Sequence, residues 1–233
     1  MEINVVDCGD PYIGLKVPQV LEGLAQVVLK MHPGDGMVAK MIDDVIKQAG
    51  SPGNLTVLRL YSHGNEGGIN ITSGDWVREA KDRDGTDVYV RCTPSLKDKS
   101  CVPLTQDAQG SSISMKSLEK LKPTLQRLTP YFAPGARVEL QGCIIAQGDL
   151  GKSFMVELAK LWGVTVQAST KELPLGSVQF SGSVFAAMPD GSIKEVTATE
   201  IPKLNATKPL PAGLTPATNG RPMPAVKLKE YNN

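Results

Sequence analysis

The chain has 233 residues, of which 41 % are hydrophobic and 21 % are charged, and its formal net charge at pH 7 is +1. This length and composition are typical of a single globular domain with additions. The near-neutral charge argues against nucleic-acid binding, which needs a concentrated basic surface, and no apolar run approaches the roughly 18 residues that a membrane-spanning helix requires.

The first quarter of the chain predicts strands alternating with helices. Residues 2–8, "EINVVDC", have the composition of a strand and meet a Gly-Asp-Pro turn signal. Apolar residues recur at helical spacing from 17 to 30, and a second helical pattern over 37–50 ends at a glycine. Residues 54–61, "NLTVLRLY", are mostly β-branched or apolar, which predicts a buried strand of a parallel sheet.

The alternation continues after a less regular segment. Residues 75–110 combine charged stretches with two short β-rich runs, which predict an inserted hairpin with loops. The pattern then predicts a helix capped by Ser114, a strand over 136–143, a helix over 149–163, a strand over 164–169, and further strands around a Pro-Asp-Gly-Ser turn in 177–198.

The composition changes close to residue 203. Residues 202–233 hold six of the chain's 17 prolines and few large apolar side chains, so this segment can bury little surface. We therefore predict a folded domain over 1–203 and an extended proline-rich tail or strap over 204–233.

Two chemically reactive side chains follow predicted strands. The alternation of strands and helices predicts an α/β fold with a mostly parallel central sheet and helices on both faces. In such folds ligands bind beyond the carboxyl ends of the strands. His63 follows the strand over 54–61 and Cys143 ends the strand over 136–143, so both residues are expected on one rim of the sheet.

A cysteine and a histidine on one rim can form a nucleophilic pair. An isolated thiol is only slightly ionised at neutral pH, and a nearby imidazole can take its proton and later protonate a leaving amine. Gly64 and Gly142 flank the pair and allow close backbone approach, while N–H groups in tight turns can stabilise an oxyanion. Two histidines and no Cys-x-x-Cys pair argue against a zinc cluster, so neither a metal nor a cofactor is expected.

The blocks "LTVLRLYSHGNEGG" and "ARVELQGCIIAQGDLGKSFMVELAKLWGVTVQAS" resemble the caspase–gingipain–legumain group of cysteine peptidases, clan CD. That group has an apolar strand ending in His-Gly and a later apolar strand ending in the catalytic cysteine. The resemblance covers residues 54–74 and 114–170 and is closer to bacterial caspase-like domains with Ser-His-Gly and Gly-Cys blocks. This chain has Gln-Gly-Cys where many members have Gln-Ala-Cys, and residues 75–110 have no counterpart that can be aligned.

The resemblance implies a three-layer caspase-like fold and a cysteine endopeptidase acting on protein or peptide substrates. It implies that His63 is the general base and acid, that Cys143 is the nucleophile, and that the N–H groups of Gly64 and Cys143 form the oxyanion hole. It also implies that substrate is bound by the segment after the last strand of the second block, which is Ser169, Thr170, Lys171 and Glu172. Glu172 would select a basic substrate side chain and Lys171 an acidic one, and the sequence leaves both open.

Two other functions fit the same residues. One is a catalytically inactive caspase-like binding or adaptor module, and the other is a different thiol-dependent acyl transfer such as transpeptidation. Residues 75–110 and the tail are candidate contacts for a regulatory or delivery partner.

The remaining acidic and thiol side chains have less specific interpretations. Asp7 and Asp10 share the expected rim and could orient His63 or help form a substrate pocket, although solvated turn carboxylates are the more common case. Cys8 is expected to be a packed thiol, with the alternative that it lines the site. Cys92 and Cys101 flank a short loop that a disulfide could close.

The N-terminal sequence gives an expectation for localisation. It is acidic and strand-like, with no basic segment followed by an apolar run, so no secretory signal is predicted. This favours a cytoplasmic protein, or an effector exported by a secretion system that reads no signal peptide.

Overall fold

The structure is a computed structural model that describes residues 1–10, 13–24, 26–32, 38–72, 76–81, 87–91, 102–103, 112–172 and 178–196. The predicted tail over 204–233 and the pair Cys92 and Cys101 lie outside these ranges.

A mixed sheet of seven strands forms the centre of the described fold. Its strands are β1 (Glu2–Asp7), β2 (Val27–Met31), β3 (Leu55–Tyr61), β10 (Phe132–Gln141), β11 (Thr165–Ser169), β12 (Val184–Ala187) and β13 (Ile193–Val196). Their spatial order is β13-β12-β11-β10-β3-β1-β2. The five strands from β11 to β2 are parallel, and β12 and β13 are antiparallel.

Two small antiparallel sheets lie outside the central one. The first contains β4 (Gly64–Asn65), β5 (Gly68–Asn70) and β9 (Ser112–Ser114), and the second contains β6 (Trp76–Lys81), β7 (Asp87–Arg91) and β8 (Val102–Pro103). The sequence predicts an inserted hairpin within residues 75–110 whose two strands are "VYVRC" and "CVPLT". This pairing is wrong, because β7 and β8, which contain parts of these runs, each pair with β6, which lies between them.

Helices cover both faces of the central sheet. They are α1 (Ile13–Gly23), α2 (Val38–Ala49), α3 (Leu118–Leu125), which continues into a 3-10 helix (Gln126–Tyr131), and α4 (Gly148–Trp162). Buried residues of α2, α3 and α4 share one apolar cluster with one face of β1, β3 and β10. Val17 and Leu21 of α1 pack instead on Val6 and Tyr61, which point to the opposite face. The predicted α/β fold with a mostly parallel sheet is therefore confirmed.

The predicted helix over residues 17–30 is wrong in its second half. The helix begins at Ile13 and ends at Gly23, and Val27–Met31 is strand β2, which pairs in parallel with β1. β2 is an edge strand whose first three residues are only half-buried. Its sequence, VVLKM, has no alternation of polar and apolar residues, which is the pattern that distinguishes a strand from a helix. Tertiary pairing with β1 decided its conformation.

The predicted helix cap at Ser114 is also wrong. Ser114 is the last residue of β9, and Ser117 occupies the cap position of α3. The two hydroxyl oxygens lie 3.2 Å apart, and the Ser114 N–H donates to the Ser117 Oγ at 2.9 Å. Both serines therefore belong to the turn that joins the strand to the helix.

Candidate active site

The turns that follow β3 and β10 contact each other at the carboxyl edge of the sheet. The two strands are parallel neighbours with Tyr61 opposite Gln141, so the chain leaves both strands at the same level. A Cβ placed on Gly142 would lie 3.2 Å from the Gly64 Cα, and a Cβ placed on Gly64 would lie 2.9 Å from the Cys143 carbonyl oxygen. Side chains larger than hydrogen would separate the two turns, and this contact requires glycine at both positions.

The structure therefore brings His63 and Cys143 to one place on the rim. Each residue lies directly beside one of the two contacting glycines in sequence. The Cys143 thiol is free of disulfide bonding and the residue is half-buried. The His63 side chain is 41 % exposed, so both groups are accessible from the rim.

Asp10 holds the imidazole of His63. The His63 Nε2 lies 2.9 Å from Asp10 Oδ2, and the Asp10 side chain is only 1 % exposed. This hydrogen bond, helped by the negative charges of Asp10 and Asp7, raises the pKa of His63 above its ordinary value, although burial acts in the opposite direction. The contact occupies Nε2, and Nδ1 is the other nitrogen of the ring.

The loop between β1 and α1 is built around the two carboxylates. Asp7 is fully buried. Its Oδ1 accepts the N–H groups of Gly9 at 2.9 Å and of Asp10 at 3.2 Å, and its Oδ2 accepts the Ser62 hydroxyl at 2.7 Å. Asp10 Oδ1 accepts the Ile13 N–H at 2.6 Å, at the start of α1. The Asp7 carboxylate thus holds the loop in shape, and the Asp10 carboxylate caps α1 while it contacts His63.

The expectation that these carboxylates are solvated is wrong. They are buried because β1 lies next to β3 in the sheet, which places the loop after β1 under the residues that follow β3. The alternative stated from the sequence, that they orient His63, agrees with the contact of Asp10. The Ser62 contact was not anticipated, and its only sequence signal is a serine and an aspartate at the ends of two strands.

The residues after Cys143 form a tight turn with an unusual backbone. Ile144 has a φ of 49°, a left-handed conformation that is rare for a β-branched residue and costs about 1–3 kcal/mol. The turn is fixed by two hydrogen bonds to the end of β11, from Ile144 N–H to the Lys171 carbonyl at 3.2 Å and from Ala146 N–H to the Ser169 carbonyl at 3.0 Å. The backbone beside the thiol is therefore held from the neighbouring strand.

The predicted substrate-binding segment borders this turn through its backbone. Ser169 is fully buried and its Oγ donates to the Ser181 carbonyl at 2.5 Å. The Thr170 Oγ1 donates to the Ser183 carbonyl at 3.3 Å. Lys171 and Glu172 are exposed. Of the other two residues, Thr170 is half-buried and Ser169 is buried.

The thiol of Cys8 is a weak acid. Burial, reinforced by the charge of Asp7, raises the pKa of the Cys8 thiol to about 11. The thiol is therefore protonated at neutral pH and a poor nucleophile. This favours the interpretation of Cys8 as a packed thiol.

The part of the chain that the structure describes contains no group of three or more His, Cys, Asp or Glu side chains that could hold a metal ion. Its helices also fall short of the length and apolar character needed to cross a membrane.

Residues 101–200 match the family model of a domain of unknown function, DUF4347. The matched range includes Cys143 and does not include His63. No curated protein and no solved structure matches the chain significantly.

Proposed function

We propose that this protein is a cysteine endopeptidase with a caspase-like fold, in which Cys143 and His63 cleave protein or peptide substrates. One observation carries the proposal: the turns that bear the two residues are in backbone contact, and a buried carboxylate holds the imidazole of one of them. A thiol and an oriented imidazole on one rim form the arrangement that activates a cysteine nucleophile.

The first step is attack on the substrate amide. His63 Nδ1 accepts the proton of the Cys143 thiol, and the thiolate sulfur forms a bond to the carbonyl carbon while the π electrons move to oxygen. The N–H groups of Gly64 and Cys143 are proposed to donate to this oxyanion. Asp10 stabilises the imidazolium that results, because its carboxylate lies 2.9 Å from Nε2.

The second step releases the amine. The imidazolium returns its proton to the leaving nitrogen as the carbon–nitrogen bond breaks, which leaves a thioester on Cys143. Water then attacks the thioester with His63 as the base, the acid product departs, and the thiol is restored.

The caspase-like part of the proposal is supported by connectivity. A parallel strand leading to Ser-His-Gly is followed later by its sheet neighbour leading to Gly-Cys, then by helix α4 and the parallel strand β11. Helices on both faces of the sheet agree with a three-layer arrangement.

The proposal is tested by thiol reactivity. Iodoacetamide at pH 7 is expected to label Cys143 at least about tenfold faster than Cys8, since the high pKa of Cys8 keeps it protonated. His63→Ala should slow the labelling of Cys143, and His32→Ala, which changes the other histidine, should leave it unchanged. Peptide mapping by mass spectrometry gives the rate for each thiol.

Equal labelling rates at Cys143 and Cys8, or no effect of His63→Ala, would count against catalysis. That outcome would favour the inactive adaptor. If labelling is selective, a cleavage-site profile of a proteome treated with wild type and with Cys143→Ala would read the specificity, including the choice between Lys171 and Glu172.

A further inference from the structure

A cavity of about 400 Å³ opens beside His63. It lies between the β4–β5 hairpin, the end of β9 and the first turn of α4. Its walls are formed by residues 63–70, Ser112, residues 114–116 and Leu150. We call it the Leu150 cavity. Its volume is within the range of small-ligand sites.

The wall of the Leu150 cavity has an apolar part. Ile69 is buried and Met115 is half-buried, whereas Leu150 is 48 % exposed. Leu150 is the one large hydrophobic side chain that is exposed in the described part of the chain. It is positioned by Gly67, because a Cβ on that glycine would lie 2.9 Å from the Leu150 Cγ.

The charged groups of the cavity lie on exposed residues. Glu66 and Lys116 both line it, and both are exposed. The Glu66 carboxylate lies against Gly148 at the start of α4, where the helix dipole favours a negative charge. Apart from His63, the other side chains of the wall are the uncharged polar and apolar ones of Asn65, Asn70, Ser112, Ser114, Ile69, Met115 and Leu150.

The position of His63 in the wall indicates which part of a substrate would enter. This step rests on the proposed function. His63 gives its proton to the leaving amine, so the residues on the amine side of the scissile bond pass His63 as they bind and depart. A cavity that begins at this imidazole therefore faces the leaving-group side of the substrate.

We propose that the Leu150 cavity binds an apolar side chain, of the size of leucine or methionine, from the residue that follows the scissile bond. The endopeptidase would thus select substrates by the residue that follows the scissile bond as well as by the residue that precedes it. A hydrophobic subsite of this kind discriminates by about tenfold or more between a filling and a missing side chain.

The test uses competition between amines for the acyl-enzyme. The full chain is acylated at Cys143 with N-acetyl thiobenzyl esters of arginine, aspartate or leucine, and leucinamide, glycinamide and glutamate α-amide are added. Leucinamide is expected to capture the acyl group about tenfold more efficiently than glycinamide, as measured by mass spectrometry of the ligated product. Leu150→Asp should remove this preference, whereas Ser153→Asp, which changes an exposed residue of α4 outside the cavity, should retain it.

The outcomes separate the two proposals. If Cys143 is not acylated by any ester, the proposed function fails, and this subsite fails with it. If Cys143 is acylated but leucinamide captures the acyl group no better than glycinamide, the proposed subsite is excluded. The same holds if Leu150→Asp retains the preference for leucinamide. In both cases the proposed peptidase activity is unaffected. Because both variants change exposed residues, their unfolding curves should match the wild type; if Leu150→Asp unfolds early, the milder Leu150→Ala provides the same comparison.

Discussion

Asp10 connects three features of the chain through one side chain. Its Oδ2 contacts the His63 imidazole, its Oδ1 accepts the Ile13 N–H at the start of α1, and its own N–H is held by the buried Asp7. The carboxylate is therefore fixed in position before any substrate binds. A fixed partner sets both the orientation and the proton affinity of the imidazole.

Replacing this carboxylate by an amide is expected to lower the pKa of His63. Asp10→Asn keeps an oxygen for the Ile13 N–H, but it weakens the hydrogen bond to His63, which is the largest cause of the raised pKa, and it removes the negative charge that adds to it. The chain has two histidines, so proton NMR can follow both imidazoles, with His32→Gln assigning the signals. An unchanged His63 titration in Asp10→Asn would contradict the role given to Asp10.

The contact between His63 and Asp10 also makes the stability of the fold depend on pH in a defined direction. The folded pKa of His63 is raised, so the charged pair contributes its full stability below the ordinary pKa of histidine, and this contribution is lost as the pH rises through the raised value. In Asp10→Asn this part of the pH dependence should shrink.

At the scale of elements, one polar row crosses the central strands of the sheet. Asn4, Arg59, Glu139 and Gln167 are register neighbours on β1, β3, β10 and β11, and all four are buried. The Arg59 Nε donates to Glu139 Oε2 at 2.9 Å, and the Arg137 Nε donates to Glu139 Oε1 at 2.8 Å. Glu139 thus links β3 to β10, the two strands that carry the proposed catalytic residues.

Removing this link should destabilise the fold strongly. Glu139→Ala leaves the buried Arg59 guanidinium without its neighbour in the sheet, and the loss of unfolding free energy is expected to be roughly 3–5 kcal/mol. Urea unfolding measures it. Glu119→Ala, at a side chain that is 82 % exposed, should change the value by less than about 0.5 kcal/mol. A loss below about 1 kcal/mol for Glu139→Ala would show that Glu2, the other partner of Arg59, is sufficient.

At the scale of the whole molecule, strand order explains why distant segments form one site. β1, β3 and β10 lie side by side in the order β10-β3-β1, so the residues after all three strands meet at one edge. Asp10, His63 and Cys143 follow these strands in turn. The site is therefore a consequence of the order of the parallel strands.

The proposed domain boundary leads to a prediction for truncation. Because the sequence of 204–233 can bury little apolar surface, its removal should shift the Tm by less than about 2 °C, the shift expected for less than 1 kcal/mol in a chain of this size. The labelling rate of Cys143 should also be unchanged. A truncation after Ser192 removes strand β13 as well and should lower the Tm clearly. A large loss from the shorter deletion would contradict the assigned boundary.

Local patterns in the sequence are sufficient to predict some of the strands and helices. The strands β3 and β11 and the helix α4 were predicted within one or two residues, because long apolar runs and a regular helical period leave few alternatives. β2 was not found, since the five residues of this edge strand have no distinctive period of apolar and polar side chains. The burial of Asp7 and Asp10 was not found either, because it depends on which strand lies next to β3.

The sequence by itself determined the class of fold and the two reactive side chains at strand ends. These follow from local rules, in which hydrophobic spacing selects strands and helices and parallel strands end at a common edge. Only the tertiary structure decided that the two glycine turns touch, that Asp10 reaches His63, and that a cavity with Leu150 in its wall opens beside them. The physical reason is that these contacts depend on the lateral order of strands and on close packing between distant segments, for which a single sequence carries no local signal.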